Sequence, residues 1–295
     1  MKIVHVITGL GDGGAEHTLF KICKHDNLNQ HIVISLKDAG KYYALLKKIN
    51  IEVHYLDLRF YSFFKIIFLI KLLRSLKPDI VQTWLVHGDF LGSIAARFAG
   101  IRNILWNIRY SNIEFGKARF TTIIIIKILS ILSYFIPKII ISVSKNANKI
   151  YAKIGYNKKK LFFIPNGYDL SDLKINLTKK KIFNKKNNIK KNSILIGNVA
   201  RYDPQKDHFN LLEALSLVRS NKINFCCVLV GNNITNKNTE LVSKIKKLRL
   251  SKFVKLLGQV DDISEVMNGI DINILSSSYG EGFPNVLAEA MACGT

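Results

Sequence analysis

A chain of 295 residues with 48% hydrophobic and 22% charged side chains has an ordinary globular composition, which excludes disorder, collagen-like repeats and coiled-coil fibres as descriptions of the whole. Its length accommodates two domains of roughly 150 residues, each able to bury a core. The formal net charge is +23, yet 35 lysines stand against 9 arginines, beside 41 isoleucines and 26 asparagines. That profile follows A/T-rich codons, so no nucleic-acid partner is expected and an anionic membrane surface is the electrostatic partner to weigh.

From the N-terminus, the apolar run 3–7 followed by a glycine cluster reads as a strand and a turn rather than a secretory signal. Short β-branched runs then alternate with longer helical patterns, the mark of βαβ units. Strands are expected at 2–8, 31–36, 52–56, 80–83, 103–108, 139–144 and 161–164, with helices at 14–25, 39–49, 63–76, 88–98, 121–135 and 146–154. The apolar stretch 120–141 is interrupted by Lys127, Pro137 and Lys138, and a charge near the middle of a spanning helix is costly, so it is not expected to cross a membrane. A second series opens after residue 193, with strands at 194–199, 225–230, 253–256 and 272–275 and helices at 210–219, 239–249 and 284–293.

The chain is therefore expected to be α/β, with two Rossmann-like domains carrying parallel sheets, at 1–172 and 193–295, joined by a linker at 173–192. The stretch 174–191 holds eight lysines and no acid; it reads as a linker or surface excursion, with an anionic-membrane contact as the alternative. Phe60-Tyr61-Ser62-Phe63-Phe64-Lys65, aromatic and basic at a helix start, is a second candidate membrane contact. Cys23, Cys226, Cys227 and Cys293 form neither a disulfide framework nor a C-x-x-C pair, which points to a reduced, cytoplasmic setting, peripheral to the inner membrane face if a contact forms.

Gly9-Leu10-Gly11-Asp12-Gly13-Gly14 follows the first strand and opens a helix, where glycines let the backbone approach an anion at the helix N-terminus. The same spacing matches G-x-G-x-x-G, with Asp38 as a ribose partner, so a nicotinamide oxidoreductase is a competing expectation. Arg201 and Lys206 lie five residues apart in the loop after a strand, where open α/β sheets bind ligands. A guanidinium fork and an ammonium suit a diphosphate; the alternative is a solvated loop whose charges are neutralised by Asp203 and Asp207. In Glu281-Gly282-Phe283-Pro284-Asn285-Val286-Leu287-Ala288-Glu289, Pro284 fits the first helical position and Phe283 has no capping side chain. The amides of Asn285 and Val286 are then available to a ligand, and Glu281 and Glu289 can accept hydrogen bonds from vicinal hydroxyls.

Taken in order, Gly13-Gly14-Ala15-Glu16, Ile164-Pro165-Asn166-Gly167-Tyr168-Asp169, Arg201 to Lys206 and the Glu281/Glu289 pair resemble retaining glycosyltransferases of family 4. The resemblance implies the two-domain GT-B fold and a nucleotide-sugar donor, UDP- or GDP-linked, in the cleft between domains. By that similarity Arg201 and Lys206 hold the donor diphosphate, Glu281 the transferred sugar and Glu289 the ribose hydroxyls. The amides of Phe283, Asn285 and Val286 seat the sugar and phosphates, Gly258, Gln259 and Val260 lie near the base, and Gly13 and Gly14 face the diphosphate.

Two departures qualify the match. Many members carry a histidine after the fifth strand of the first domain; here Asn107-Ile108-Arg109 occupies that stretch, Arg109 is the candidate replacement, and His87 is a candidate acceptor-side contact. The family also continues past the Cys293-Gly294-Thr295 at which this chain stops, so the second domain is expected to be incomplete, with four strands to the first domain's seven, and the chain to be a C-terminally truncated product. The implied activity is transfer of a hexose-type sugar, with retained configuration, to a hydroxyl of a glycan or lipid-linked glycan of the surface-polysaccharide kind. No cofactor is expected and no metal is required, since none of the thirteen aspartates lies two positions from another. A non-catalytic nucleotide-sugar-binding fragment is the further alternative.

Overall fold

A computed structural model describes residues 1–37, 39–57, 63–109, 120–279, 281 and 283–295. The chain divides into two compact units, Met1–Asn166 and Gly167–Thr295. The first contains β1 (Lys2–Ile7), α1 (Gly14–His25), β2 (Gln30–Ser35), α2 (Gly40–Lys48), β3 (Glu52–Tyr55), α3 (Phe63–Leu76), β4 (Ile80–Trp84) and α4 (Leu85–His87). A π-helical turn (Gly88–Gly92) then leads into α5 (Ser93–Phe98), β5 (Ile104–Ile108), α6 (Phe120–Leu132), β6 (Ile139–Ser142), α7 (Lys145–Ile154), a 3-10 turn (Lys158–Lys160) and β7 (Leu161–Phe163).

The seven strands form one parallel sheet in the order β3-β2-β1-β4-β5-β6-β7. Alternation along β1 explains why the runs are mainly apolar on both faces. Val4 and Val6 enter the core with Leu69, Leu73 and Ala95, whereas Ile7 enters the opposite core with Leu19, Cys23 and Leu46. A parallel sheet buried on both faces needs side chains suited to burial at every position.

The second unit contains α8 (Leu177–Lys186), β8 (Ile194–Val199), a 3-10 turn (Pro204–Lys206), α9 (His208–Ser220), β9 (Phe225–Val230), α10 (Thr239–Lys247), β10 (Val254–Gly258), α11 (Ile263–Gly269), β11 (Ile272–Asn273) and α12 (Asn285–Ala292). Its described strands form a parallel sheet in the order β10-β9-β8-β11. Leu211, Leu215, Leu241 and Ile245 cover one face; Phe183, Val266, Met267 and Ala290 cover the other. In each sheet the winding direction reverses once, between β1 and β4 and between β8 and β11, and ligands of open α/β sheets bind at such switch points.

The stretch 173–192 differs from its expected linker state. Asn176 accepts a hydrogen bond from Lys179 N at 3.0 Å and starts α8. Phe183 then packs so tightly on Gly269 that a Cβ there would lie 2.2 Å from its ring. Lys179, Lys180 and Lys186 pair with Asp262, Asp271 and Glu265 at 2.8, 2.8 and 3.5 Å. This segment is part of the second unit, and the units divide at 166/167 instead of 172/173.

Other differences are local. The helix expected from 88 starts at Leu85. Strand 139–144 ends at Ser142 because Ser144 caps α7, accepting from Ala147 N at 3.0 Å. Pro284 is the N-cap of α12 and not its first helical residue. The apolar stretch 120–141 breaks into α6 and β6, and no helix among the described residues is long and apolar enough to cross a membrane.

Candidate active site

In the second unit the β8 exit is fixed by its neighbour. Ala200 N donates to Val230 O at 2.8 Å and Tyr202 N to Asn232 O at 2.9 Å, which prolongs the β8–β9 pairing beyond the strands. Gly231, at φ +149°, makes this approach feasible, since a Cβ would stand 2.1 Å from the Ala200 carbonyl oxygen. Arg201 emerges from this brace, exposed, with its Nε 3.2 Å from Asp203 Oδ2. The other oxygen of Asp203 accepts from Gln205 N at 2.9 Å and starts the 3-10 turn that carries Lys206.

That turn is bound to the loop after β11. Ser278 N donates to Gln205 O at 2.9 Å, Gln205 Nε2 to Tyr279 O at 3.0 Å, and Ser276 Oγ to Lys206 O at 2.7 Å. The outcome is an ion pair between Lys206 Nζ and Glu281 Oε1, with Ser277 Oγ donating to the same oxygen at 2.6 Å. The two side chains are 15% and 24% exposed, so water screens them less than a surface pair while a ligand can still reach them. Arg201, Lys206 and Glu281 are thus brought into one loop cluster at the switch point between β8 and β11. Asp207 caps α9, accepting from Asn210 N at 3.2 Å.

Beside this cluster α12 begins at Asn285, and its N-cap, Pro284, supplies no side-chain hydrogen bond to it. The first-turn amides of Asn285 and Val286 lie at the positive end of the helix dipole, a setting that favours anions. Tyr168 Oη donates to Asn285 Oδ1 at 2.8 Å, and its ring centroid lies 6.3 Å from that of Phe283. Glu289 is buried at 7% exposure in the next turn. At the β10 exit, Gly258 donates to Ile234 O at 2.9 Å and accepts from Gly231 N at 2.8 Å; Gln259 after it is exposed and Val260 half-buried.

The first unit has its own group of candidates at strand exits. Gly13 is the N-cap of α1 and Gly14 its first residue, and the Glu16 side chain folds back over the turn, its Oε2 2.4 Å from where a Cβ on Gly13 would stand. Asp38 lies outside the described residues. His87 ends α4, half-buried, just ahead of Gly88, whose amide donates to Thr8 Oγ1 at 3.2 Å. Arg109 donates to Asn166 Oδ1, and its guanidinium carbon sits 4.9 Å from the centroid of the Trp84 ring. Arg109 therefore ties the β5 exit to the Pro165-Asn166-Gly167 segment.

Behind Trp84 runs a buried polar chain. Trp84 Nε1 donates to His5 Nδ1 at 3.2 Å, which fixes the His5 tautomer, and His5 Nε2 then donates to His31 Nδ1 at 2.9 Å between rings inclined by only 14°. His31 Nε2 lies 3.1 Å from Asp26 Oδ2, off the line of a straight hydrogen bond. Burial, reinforced by His31, pushes the His5 pKa down to about 3. His5, Cys23 and His31 are the one group of described residues close enough to share a metal ion, with donor atoms within 4.8 Å. Two of those nitrogens already bond each other, and burial pushes the Cys23 thiol up to about 12, so the group suits a neutral hydrogen-bonded chain better than a cation.

Gln205, Ser277, Trp84 and Tyr168 join these sites without a role assigned to them by the sequence alone. Tyr168 and Asn166 sit in a recognisable motif, and Ser276-Ser277-Ser278 is a visible polar run after a strand, whereas Gln205 and Trp84 carry no local signal.

The "Glycosyltransferase Family 4" model matches residues 6–172, and the "Glycosyl transferases group 1" model matches residues 179–295. The capsular polysaccharide biosynthesis glycosyltransferase CapH of Staphylococcus aureus is 26% identical over 98% of this chain and 78% of its own length. A UDP-Gal:α-D-GlcNAc-diphosphoundecaprenol α-1,3-galactosyltransferase of Escherichia coli is 30% identical over 78% of this chain, but the match spans only 59% of that relative. Among solved structures, Anabaena Alr3699/HepE in complex with UDP-glucose superposes with a TM-score of 0.87 at 21% identity, covering all of this chain and 79% of that one. That likeness extends over both units and shows the GT-B fold. With a family model matched across more than half its length, from β1 through the Pro165-Asn166-Gly167 segment, the chain belongs to glycosyltransferase family 4.

Proposed function

We propose that this chain transfers a hexose-type sugar from a UDP- or GDP-sugar to a hydroxyl of a lipid-linked glycan, with retention at the anomeric carbon. The observation that carries the proposal is the Lys206–Glu281 pair, held with Arg201 in one loop cluster at a sheet switch point. Such a cluster offers two cations to a diphosphate and a carboxylate to sugar hydroxyls. Supporting it, HepE is described with UDP-glucose and the E. coli relative with a diphosphoundecaprenol-linked acceptor.

In the proposed course the bond between the anomeric carbon and the diphosphate oxygen breaks, and Arg201 and Lys206 neutralise the charge gained by the leaving nucleoside diphosphate. The acceptor hydroxyl attacks from the face the diphosphate leaves, and its proton passes to the departing phosphate oxygen. The two protein cations supply the neutralisation, so no metal is required. Glu281 is assigned to the sugar hydroxyls, the α12 amides to the sugar and phosphates, Glu289 to the ribose, and Gly258 to Val260 to the base.

Calorimetric titration with UDP, GDP and NADH, followed by transfer to a diphosphate-lipid-linked sugar in EDTA with the product anomer read by NMR, tests the proposal. Binding of UDP or GDP and a retained anomer are expected; binding of NADH alone, or an inverted product, overturns it. For Glu289→Ala the expected result is a Kd for the nucleotide raised roughly ten- to a hundredfold, because a carboxylate hydrogen bond is lost, with kcat changed little. An unaltered nucleotide affinity in the folded variant removes Glu289 from the site.

A further inference from the structure

We propose that the outer face of α6 is a docking surface for an anionic lipid bilayer. Phe120, Ile124, Ile128, Ile131 and Phe135 recur at intervals of four, four, three and four residues, which places them on one face of the helix and its terminal turn. They are 76%, 42%, 38%, 65% and 73% exposed. The opposite face is spoken for, since Ile126 and Leu129 are buried in the core of the first unit. A helix apolar on its inner side needs no such stripe on its outer side for folding, and an exposed apolar row of this length marks a contact surface.

The charge around the stripe selects the partner. Residues 120–168 contain eight lysines and no aspartate or glutamate. Lys127 falls on the exposed face between Ile124 and Ile131, where its stem can lie along apolar surface and its ammonium reach headgroups. The Lys158–Lys160 turn is fastened to the C-terminal end of α6: Lys160 Nζ donates to Tyr134 O at 2.8 Å and Asn157 N to Ser133 Oγ at 2.9 Å. Beside it a groove of about 500 Å³ is lined by Lys149, Lys153 and Lys158, with room for phosphate headgroups.

A second copy of the same surface would bring these lysines against one another, whereas a bilayer of anionic lipid neutralises them and receives the aromatic and aliphatic side chains. At thirteen residues α6 is too short to span and lies in the interface plane. The lysines of α8 are a weaker candidate for this role, because three of them are engaged with Asp262, Asp271 and Glu265.

The test is co-sedimentation of the 295-residue chain with vesicles of phosphatidylcholine alone and of phosphatidylcholine mixed with phosphatidylglycerol. Binding to the mixed vesicles is expected to be at least about tenfold stronger and to fall as salt rises. Ile131→Glu with Phe135→Glu, both exposed positions, is expected to cut that binding at least about tenfold. Lys179→Gln, Lys180→Gln and Lys186→Gln together are expected to leave it within about twofold. A fluorophore on Ile131→Cys is expected to be quenched by brominated lipid, and one on Lys222→Cys is not, which reads insertion even if the double glutamate variant fails to fold. Equal binding to neutral and anionic vesicles, unaltered binding of the folded double variant, an unquenched Ile131→Cys probe, or a solution dimer that the double variant dissociates each overturns the proposal. Vesicle binding and sugar transfer are read separately, so failure of either leaves the other standing.

Discussion

Replacing Lys206 with alanine is expected to lower turnover by roughly a hundred- to a thousandfold while the chain remains folded. The side chain is one of two cations assigned to the leaving diphosphate, and removing a single preorganised electrostatic partner of a developing charge costs about that much. Its placement is costly to imitate, because the 3-10 turn beneath it is held by hydrogen bonds to Ser276, Ser278 and Tyr279 of the following loop. Lys206→Arg is therefore not expected to restore the rate, since a planar fork cannot occupy the point-charge position beside Glu281. Arg201→Ala is expected to cost at least about tenfold, less than Lys206→Ala, as its side chain is solvent-exposed and bonded to Asp203 and Gln205. Single-turnover release of the nucleoside diphosphate, with thermal unfolding as the control for folding, checks both. Normal turnover of folded Lys206→Ala would remove this residue from the leaving-group role.

Most of this arrangement is legible in the sequence for one physical reason. Strands buried on both faces, such as Phe225–Val230, must be apolar at successive positions, and the resulting runs stand out between amphipathic helices. α8 is not legible in this way: half its residues are lysine, and it is held by Phe183 against Gly269 and by carboxylates 79 to 91 positions further along the chain. α11 does carry a local signal, Asp262 followed three residues later by Glu265, whose amide Asp262 caps at 3.1 Å. In the loop cluster, Arg201, Lys206 and Glu281 advertise their chemistry by charge. Gln205 and Ser277 act through hydrogen bonds to loop partners that only folding brings near. Arg109 is visible by its charge and position, whereas its contacts with the Trp84 ring and Asn166 are not, because folding alone brings them together.

Acidification from pH 7 to 5 is expected to destabilise the chain by about 2 kcal/mol through His5 alone. His5 is fully buried, and its pKa is lowered from 6.5 to about 3 by burial and then by the neighbouring His31. Between those values the unfolded chain holds a proton on this imidazole that the folded chain refuses, so stability is present above pH 6.5 and is lost as pH falls, until protonation of both states ends the trend near pH 3. His17, lowered to about 4 chiefly by burial, adds a loss of the same sign. The effect reaches the strand exits because protonated His5 cannot accept from Trp84 Nε1, and Trp84 is the platform on which Arg109 rests. His5→Leu lowers stability at neutral pH by stranding Trp84 Nε1 and His31 Nδ1, each at about 1–3 kcal/mol, yet it removes one titrating group. Urea unfolding followed at pH 7, 6 and 5 should therefore show a steep loss in the parent chain and a slope shallower by about one proton in His5→Leu. Equal slopes in the two proteins would mean that His5 is not held neutral in the folded state.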